Sequence, residues 1–447
     1  MKLLSNLSSN SWSFNSLAPH LAALAVFFIP FKLTFSYIFL VPLITFWVSK
    51  NYTNLNFYKT KISNSTAKIF LFFLLYISLT APFGIDAIHS IKSISGLLFY
   101  PLIIPLFIFL GRHYFNYLTK SLLLGITSAS FLNAYRLSGW DFSYKLIGSV
   151  SQSGQIGILI FLFLYYCKTN SNLSLKNISF NFKLILCSFS AILFSSLLLN
   201  AWKINIIPQQ LTHALPLIVV FLGLILFFYS TTEKKEVIFR YFSWTVIIAA
   251  LIFNLKRGPW LGVTTALFFV VILSKNKKYL LYLSIICLAS LYFEPVRERI
   301  IHAKDHFFIT GGRSEIWSIG FELLQKYPLG IGYENSGILR NFSTTIPHNL
   351  KHFHSNMLNI AVEAGWIGLT LFLASVTFAI KEFLPKCNNT KNYLELIPFA
   401  ACIISWFVAG LVEYNFGDSA VCNLLYIVIG LAYSQKLLID SSYQSQS

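Results

Sequence analysis

Long apolar runs separated by short polar breaks recur along almost the whole chain. Stretches long enough to cross a bilayer lie near 18–31, 34–49, 66–83, 95–111, 120–135, 150–166, 183–201, 213–230, 237–254, 258–274, 279–293, 355–380, 394–412 and 418–434. A spanning helix needs about 20 apolar residues, whereas a barrel strand would show about 10 residues of alternating polarity. Inside lipid every backbone N–H and C=O must be satisfied within the protein, and uninterrupted runs achieve this as helices. The pattern predicts an all-α polytopic membrane protein of about 12–14 spans. The lower number holds if one closely spaced pair, the first two or 183–230, is lost. Four regions follow: helices over 1–293, an extramembrane cap over 294–353, helices over 354–434 and a tail over 435–447. The polar start to Ala18 leads into an apolar run with no small-residue cleavage site, which reads as an uncleaved first span.

Composition sharpens this picture. Only 11% of the residues are charged and 56% are hydrophobic, which excludes a soluble enzyme. The formal net charge of +18 would point to nucleic acid in a soluble protein, but here it follows topology. With the N-terminus inside, twenty of the 34 Lys and Arg residues fall on the inner side, in runs such as Lys50/Lys59/Lys61/Lys68 and Lys275/Lys277/Lys278. Cytoplasmic retention therefore accounts for most of the charge, and no nucleic-acid partner is required. The six cysteines show neither CxxC nor Cys/His ligand spacing, so no disulfide framework, metal site or cofactor is indicated.

The candidate chemistry gathers on the outer side. The cap carries Trp317, Phe321, Leu323 and Leu324 at helical spacing, followed by a Pro328/Gly330/Gly332 turn cluster. Five of the nine histidines, His302, His306, His348, His352 and His354, fall within it or at its end. Lys256-Arg257-Gly258-Pro259-Trp260 abuts a span from outside, where the positive-inside bias opposes it, and Gly311-Gly312-Arg313-Ser314-Glu315 opens a predicted helix. Glu363, Glu413 and Asp418 lie in or beside spans, where charge is costly, so each is expected to have a partner.

From His354 the chain reads His354-Ser355, nine residues, then Gly365-Trp366-Ile367-Gly368. This resembles the His-(Asn/Ser/Gln)-x9-Gly-x-x-(Gly/Thr/Tyr) motif of the bacterial O-antigen ligase family. His348-Asn349 does not fit, because nine residues on it meets Asn359. With both arginine motifs, the resemblance covers roughly residues 237–434 in detail. It implies transfer of a glycan from an undecaprenyl-diphosphate donor to a lipid A-core acceptor, at the periplasmic face of the inner membrane and without a metal. It also implies a histidine base and arginines that engage the diphosphate.

The residue chemistry agrees. A departing diphosphate needs cations, and Arg bonds phosphate oxygens bidentately, which makes Arg257 and Arg313 the candidates. An acceptor hydroxyl needs its proton removed near neutral pH, a task suited to His354. Lys256, Arg340, His348, His352 and Tyr333 are candidate substrate contacts. On a continuous helix, Gly365 and Gly368 return to within about 40° of the His354 direction, giving a small-residue face below the base. Polymerases and protein O-glycosylating enzymes of the same superfamily share the donor; the Arg-x10-Gly spacing of polymerases is missing after Arg136, Arg257, Arg297, Arg299, Arg313 and Arg340. A transporter of the lipid-linked glycan would instead line a path through the bilayer with charge, whereas the polar chemistry here lies on one face.

Overall fold

The computed structural model describes residues 14–51, 64–137, 148–169, 233–274, 291, 294–347, 350–385 and 394–444. The expected spans 183–201 and 213–230, and nearly all of 279–293, lie outside the described residues. The others form helices: α1 Phe14–Phe28, α2 Leu33–Asn51, α3 Asn64–Thr80, α4 Ala87–Leu137, α5 Ser149–Thr169, α6 Glu233–Phe253 and α7 Arg257–Ser274. After the cap come α11 Asn356–Glu382, α12 Ile397–Ala409 and α13 Ser419–Gln444. No strand occurs among the described residues, so the all-α, multi-pass reading holds.

Apolar side chains of α1, α4, α5, α12 and α13 fill one continuous core. The outward face of α3 instead exposes Leu71, Phe72, Leu75 and Leu79, as a lipid-facing helix does. Two expected spans, 95–111 and 120–135, are joined without a loop. α4 runs for 51 residues and bends at Tyr114, where φ is −124° and ψ 18°. The halves on either side, 87–113 and 115–137, are each about 35–40 Å long at 1.5 Å per residue, enough to cross a hydrocarbon core of about 30 Å, so the kink takes the place of the loop expected around Arg112–Lys120. The partner expected for Asp418 is present: it caps α13, accepting from the N–H groups of Ala420 and Val421 at 3.0 and 3.2 Å and from the Ser151 hydroxyl.

α7 and α12 approach closely because Gly258 and Gly262 face α12 and the loop after it. A methyl group at Gly262 would collide with the Ser405 carbonyl, and one at Gly258 would meet Glu413 Cγ at 2.5 Å. This contact brings the start of α7 beside Glu413.

The cap consists of α8 Glu294–Ile301, α9 Ala303–Phe308, α10 Arg313–Lys326 and a 3₁₀ segment, Asn335–Asn341. Ile316, Ile319, Leu323, Leu324, Leu339 and Phe353 pack with Leu358 and Val362 in a second core, which fastens the cap to the first turns of α11. Phe321, expected among them, is exposed on the other face of α10.

α11 corrects the expected glycine face. His354 precedes the helix, which starts after an N-cap at Ser355, and the helix is broken at Gly365, with φ 68° and ψ −173°. An angle counted from His354 through a continuous helix therefore has no meaning here. Gly365 serves the break itself, since that backbone region is essentially glycine-only. The groups freed there are satisfied by the cap. Ile331 N–H donates to Val362 O at 2.9 Å, Gly332 N–H to Glu363 O at 3.0 Å, and Trp366 N–H to Pro328 O at 3.2 Å. Glu363, whose partner the sequence left open, accepts the Ser336 N–H at 3.2 Å and so holds the start of the 3₁₀ segment.

Candidate functional site

Arg257 is placed by a tight corner between α6 and α7. Leu255 takes φ 49°, the Trp260 indole N–H donates to Leu251 O at 2.8 Å, and Asn254 donates to Gln152 Oε1 at 3.1 Å. Val296 of α8 packs beneath this corner with Ile252, Leu255 and Trp260. Arg257 is then the first residue of α7, and Arg313 the first of α10, after Gly312 as N-cap. A cation at a helix N-terminus opposes the helix dipole, so both positions are unfavourable unless an anion is held there.

The two arginines converge. Arg257 lies within electrostatic reach of Arg313, Glu413 and also Arg299. Arg313 pairs with Glu413 through Nη2 and Oε1 at 3.5 Å, which supplies the partner expected for Glu413. Burial pushes the Glu413 carboxyl up, while Arg313, Lys256 and Arg257 pull it back down. Glu315, the nearer acid in sequence, is engaged elsewhere: it accepts from Gly311 N–H at 2.8 Å, Thr345 Oγ1 at 2.6 Å and the Ser343 hydroxyl.

His354 stands beside this cationic group. Its φ is 52°, and its ring is crossed nearly perpendicularly by that of His352, with centroids 4.4 Å apart. His352 in turn lies 5.3 Å from the Tyr414 ring. Burial first, then His352 and Arg313, lowers His354 to about 4, and burial with Arg313 also lowers His352. Both rings are therefore neutral at pH 7. Nδ1 of His354 is buried with no hydrogen-bond partner among the described residues. A neutral His354 can accept a proton next to cations that attract an anion.

The remaining candidates are more scattered. Lys256 adjoins the cluster and acts on Glu413. Tyr333 is buried in the main core, where it offers a substrate little surface. Arg340 is exposed near the end of the 3₁₀ segment. His302 sits on the cap surface between Asp305 and Glu298, at 2.8 and 3.3 Å. His348 lies outside the described residues. Sequence reasoning passed over Arg299 and Tyr414. The signal for Arg299 was its spacing: three positions after the buried Val296, it shares the face of α8 that turns toward the corner.

Among known proteins, residues 241–373 match the family described as O-antigen ligase. The matched segment contains Arg257, Arg299, Arg313, His352, His354 and the Gly365 break. A protein of Rickettsia felis provisionally named a polysaccharide ligase is 31% identical over 109 residues, covering 22% of this chain and 26% of that relative. A protein of the same description from Rickettsia conorii is 30% identical over the same extent, and one from Rickettsia bellii is 36% identical over 64 residues, or 14% of this chain and 15% of that relative. The chain thus spans about a quarter or less of the length of the curated relatives it matches. That segment, which carries the clustered arginines and the histidine pair, is where the chain is similar to the O-antigen ligase family.

Proposed function

We propose that the chain is a glycosyltransferase that moves a glycan from an undecaprenyl-diphosphate donor to a sugar hydroxyl of lipid A-core, at the periplasmic face of the inner membrane. The observation that carries this reading is the gathering of Arg257 and Arg313 around a single carboxylate, Glu413, with Arg299 close to Arg257, next to the neutral His352–His354 pair. In the reaction the acceptor oxygen forms a bond to the anomeric carbon of the glycan, and the bond from that carbon to the diphosphate oxygen breaks. The electron pair leaves with the diphosphate, whose charge the guanidinium groups stabilise. The hydroxyl proton passes to His354, with Nε2 the ring nitrogen left to meet it, because Nδ1 is closed off. Guanidinium groups supply the positive charge in this scheme, and no metal or cofactor is assigned a part.

Burial gives the empty site a weakly basic His354. The bound diphosphate changes that balance, because its negative charge opposes Arg313 and favours the imidazolium. The base is thus strengthened when the donor is in place, and the arginines and histidine act as one unit.

The test is reconstitution in liposomes with undecaprenyl-diphosphate glycan and, in separate reactions, lipid A-core, a second lipid-linked glycan or a pilin-like protein. Glycosylated lipid A-core is the expected product. Extension of the lipid-linked glycan would make the chain a polymerase, and glycosylation of the protein would make it a protein glycosylating enzyme. Translocation of the donor with no covalent product would make it a transporter.

A further inference from the structure

We propose that His352 is a positioning residue, whose Nδ1 holds the backbone of His354 so that the His354 ring meets the acceptor hydroxyl. The inference rests on the reading of His354 as the base. His354 is one of three non-glycine residues with positive φ among the described residues, and the left-handed region is unfavourable for a residue with a side chain. Its N–H donates to Nδ1 of His352, two residues earlier, at 3.3 Å. An acceptor at this position closes the same ring as an Asx-turn, in which an Asn or Asp oxygen binds the N–H two residues on.

The surroundings hold the strap on both sides. Phe353, between the two histidines, is fully buried; its N–H donates to Asn359 Oδ1 at 3.2 Å and its carbonyl accepts from the Trp317 indole at 2.9 Å. Ser355 then caps α11 by accepting the Leu358 N–H at 3.4 Å. With residues 353 and 355 turned inward, the side chains of 352 and 354 lie against each other, and the Tyr414 ring flanks His352. Nδ1 can accept only when it carries no proton, which puts the proton of the neutral ring on Nε2. Burial and Arg313 favour that neutral form. The nitrogen nearest the base backbone is therefore committed to the turn and is not free for substrate.

Three substitutions separate this role from substrate contact. Asn places Oδ1 where Nδ1 stands, whereas Gln places its oxygen nearer the Nε2 position and Ala has no acceptor. In the liposome assay His352→Asn is expected to keep transfer within about threefold, while His352→Gln and His352→Ala lose tenfold or more in kcat, with donor KM within twofold. A second readout is independent of turnover: the rate at which diethyl pyrocarbonate modifies His354, followed by peptide mass spectrometry, is expected to be unchanged in His352→Asn and shifted severalfold in His352→Ala. Full activity in all three variants, activity in Gln but not Asn, or failure of Asn to accumulate where Gln folds would each overturn the proposal. His354→Ala run alongside separates the two ideas. If it stays fully active, the base reading fails; if it is inactive while the His352 series departs from this order, only the positioning role fails.

Discussion

Replacing Gly365 with Ala perturbs the one residue that lets α11 break under the cap. The change adds a Cβ at φ 68° and ψ −173°, where it would stand 2.7 Å from Leu329 Cα and 2.5 Å from Leu329 C, against the Pro328 carbonyl. The glycine-only backbone region costs about 1–3 kcal/mol for another residue, and forced overpacking about 1–3 kcal/mol more, so destabilisation of roughly 2–6 kcal/mol is expected. Relief by straightening the helix would give up the hydrogen bonds from Ile331, Gly332 and Trp366. For a domain of 150–250 residues 1 kcal/mol moves Tm by about 2–4 °C, and for a chain of this size by less, so Tm should fall by roughly 3–10 °C. The assay is thermal unfolding of purified protein in detergent. Gly337→Ala serves as the control, because a Cβ there meets nothing within 4 Å. If the two variants melt together at the native temperature, the break at Gly365 is not a requirement of the fold and the reasoning is refuted.

Arg257→Lys retains charge but loses one of two parallel hydrogen bonds, so transfer should fall about tenfold and Arg257→Ala should be worse; full activity in the Lys variant, measured at matched protein levels, would remove the bidentate role. Glu413→Gln removes the carboxylate paired with Arg313, so donor KM at low salt is expected to fall severalfold while kcat drops as Arg313 loses its guide; unchanged steady-state constants would contradict this. Because His354 is lowered to about 4 in the empty site, kcat/KM should hold from pH 7 down to about 5 and decline as pH falls further, through about 4. The acid limb of kcat should lie higher, since bound phosphates favour the imidazolium; a kcat/KM limb at 6.5 or above would show that burial does not govern the ring.

Much of the architecture was legible because apolar run length reports helices directly, and α1 to α3, α5 to α7 and α11 to α13 lie where the runs predict. Arg257 and Arg313 were legible for a different reason. One is a cation that the expected topology sets against the charge bias, and the other opens a helix after two glycines. Periodicity says which face of a helix is apolar, but not whether the helix continues. The 51-residue α4 passes through Arg112 without a loop, and the break at Gly365 is stabilised by residues 328–332, some thirty positions away. The Tyr414–His352–His354 stack depends on packing between the cap, the start of α11 and the loop after α12. Arg299 reaches the cluster because Val296, one turn earlier, is buried beneath the Arg257 corner. These contacts are tertiary, and no local pattern carries them.

The central claim is that the outer cationic cluster and His354 form one site for glycan transfer. Its most direct test is transfer of labelled glycan from purified undecaprenyl-diphosphate donor to lipid A-core in liposomes, comparing the native chain with His354→Ala at equal protein density and unchanged melting temperature. A general base contributes about 10²–10⁴-fold, so the variant is expected to form product at or below about one percent of the native rate while still binding donor. Product at the native rate from His354→Ala would contradict the account.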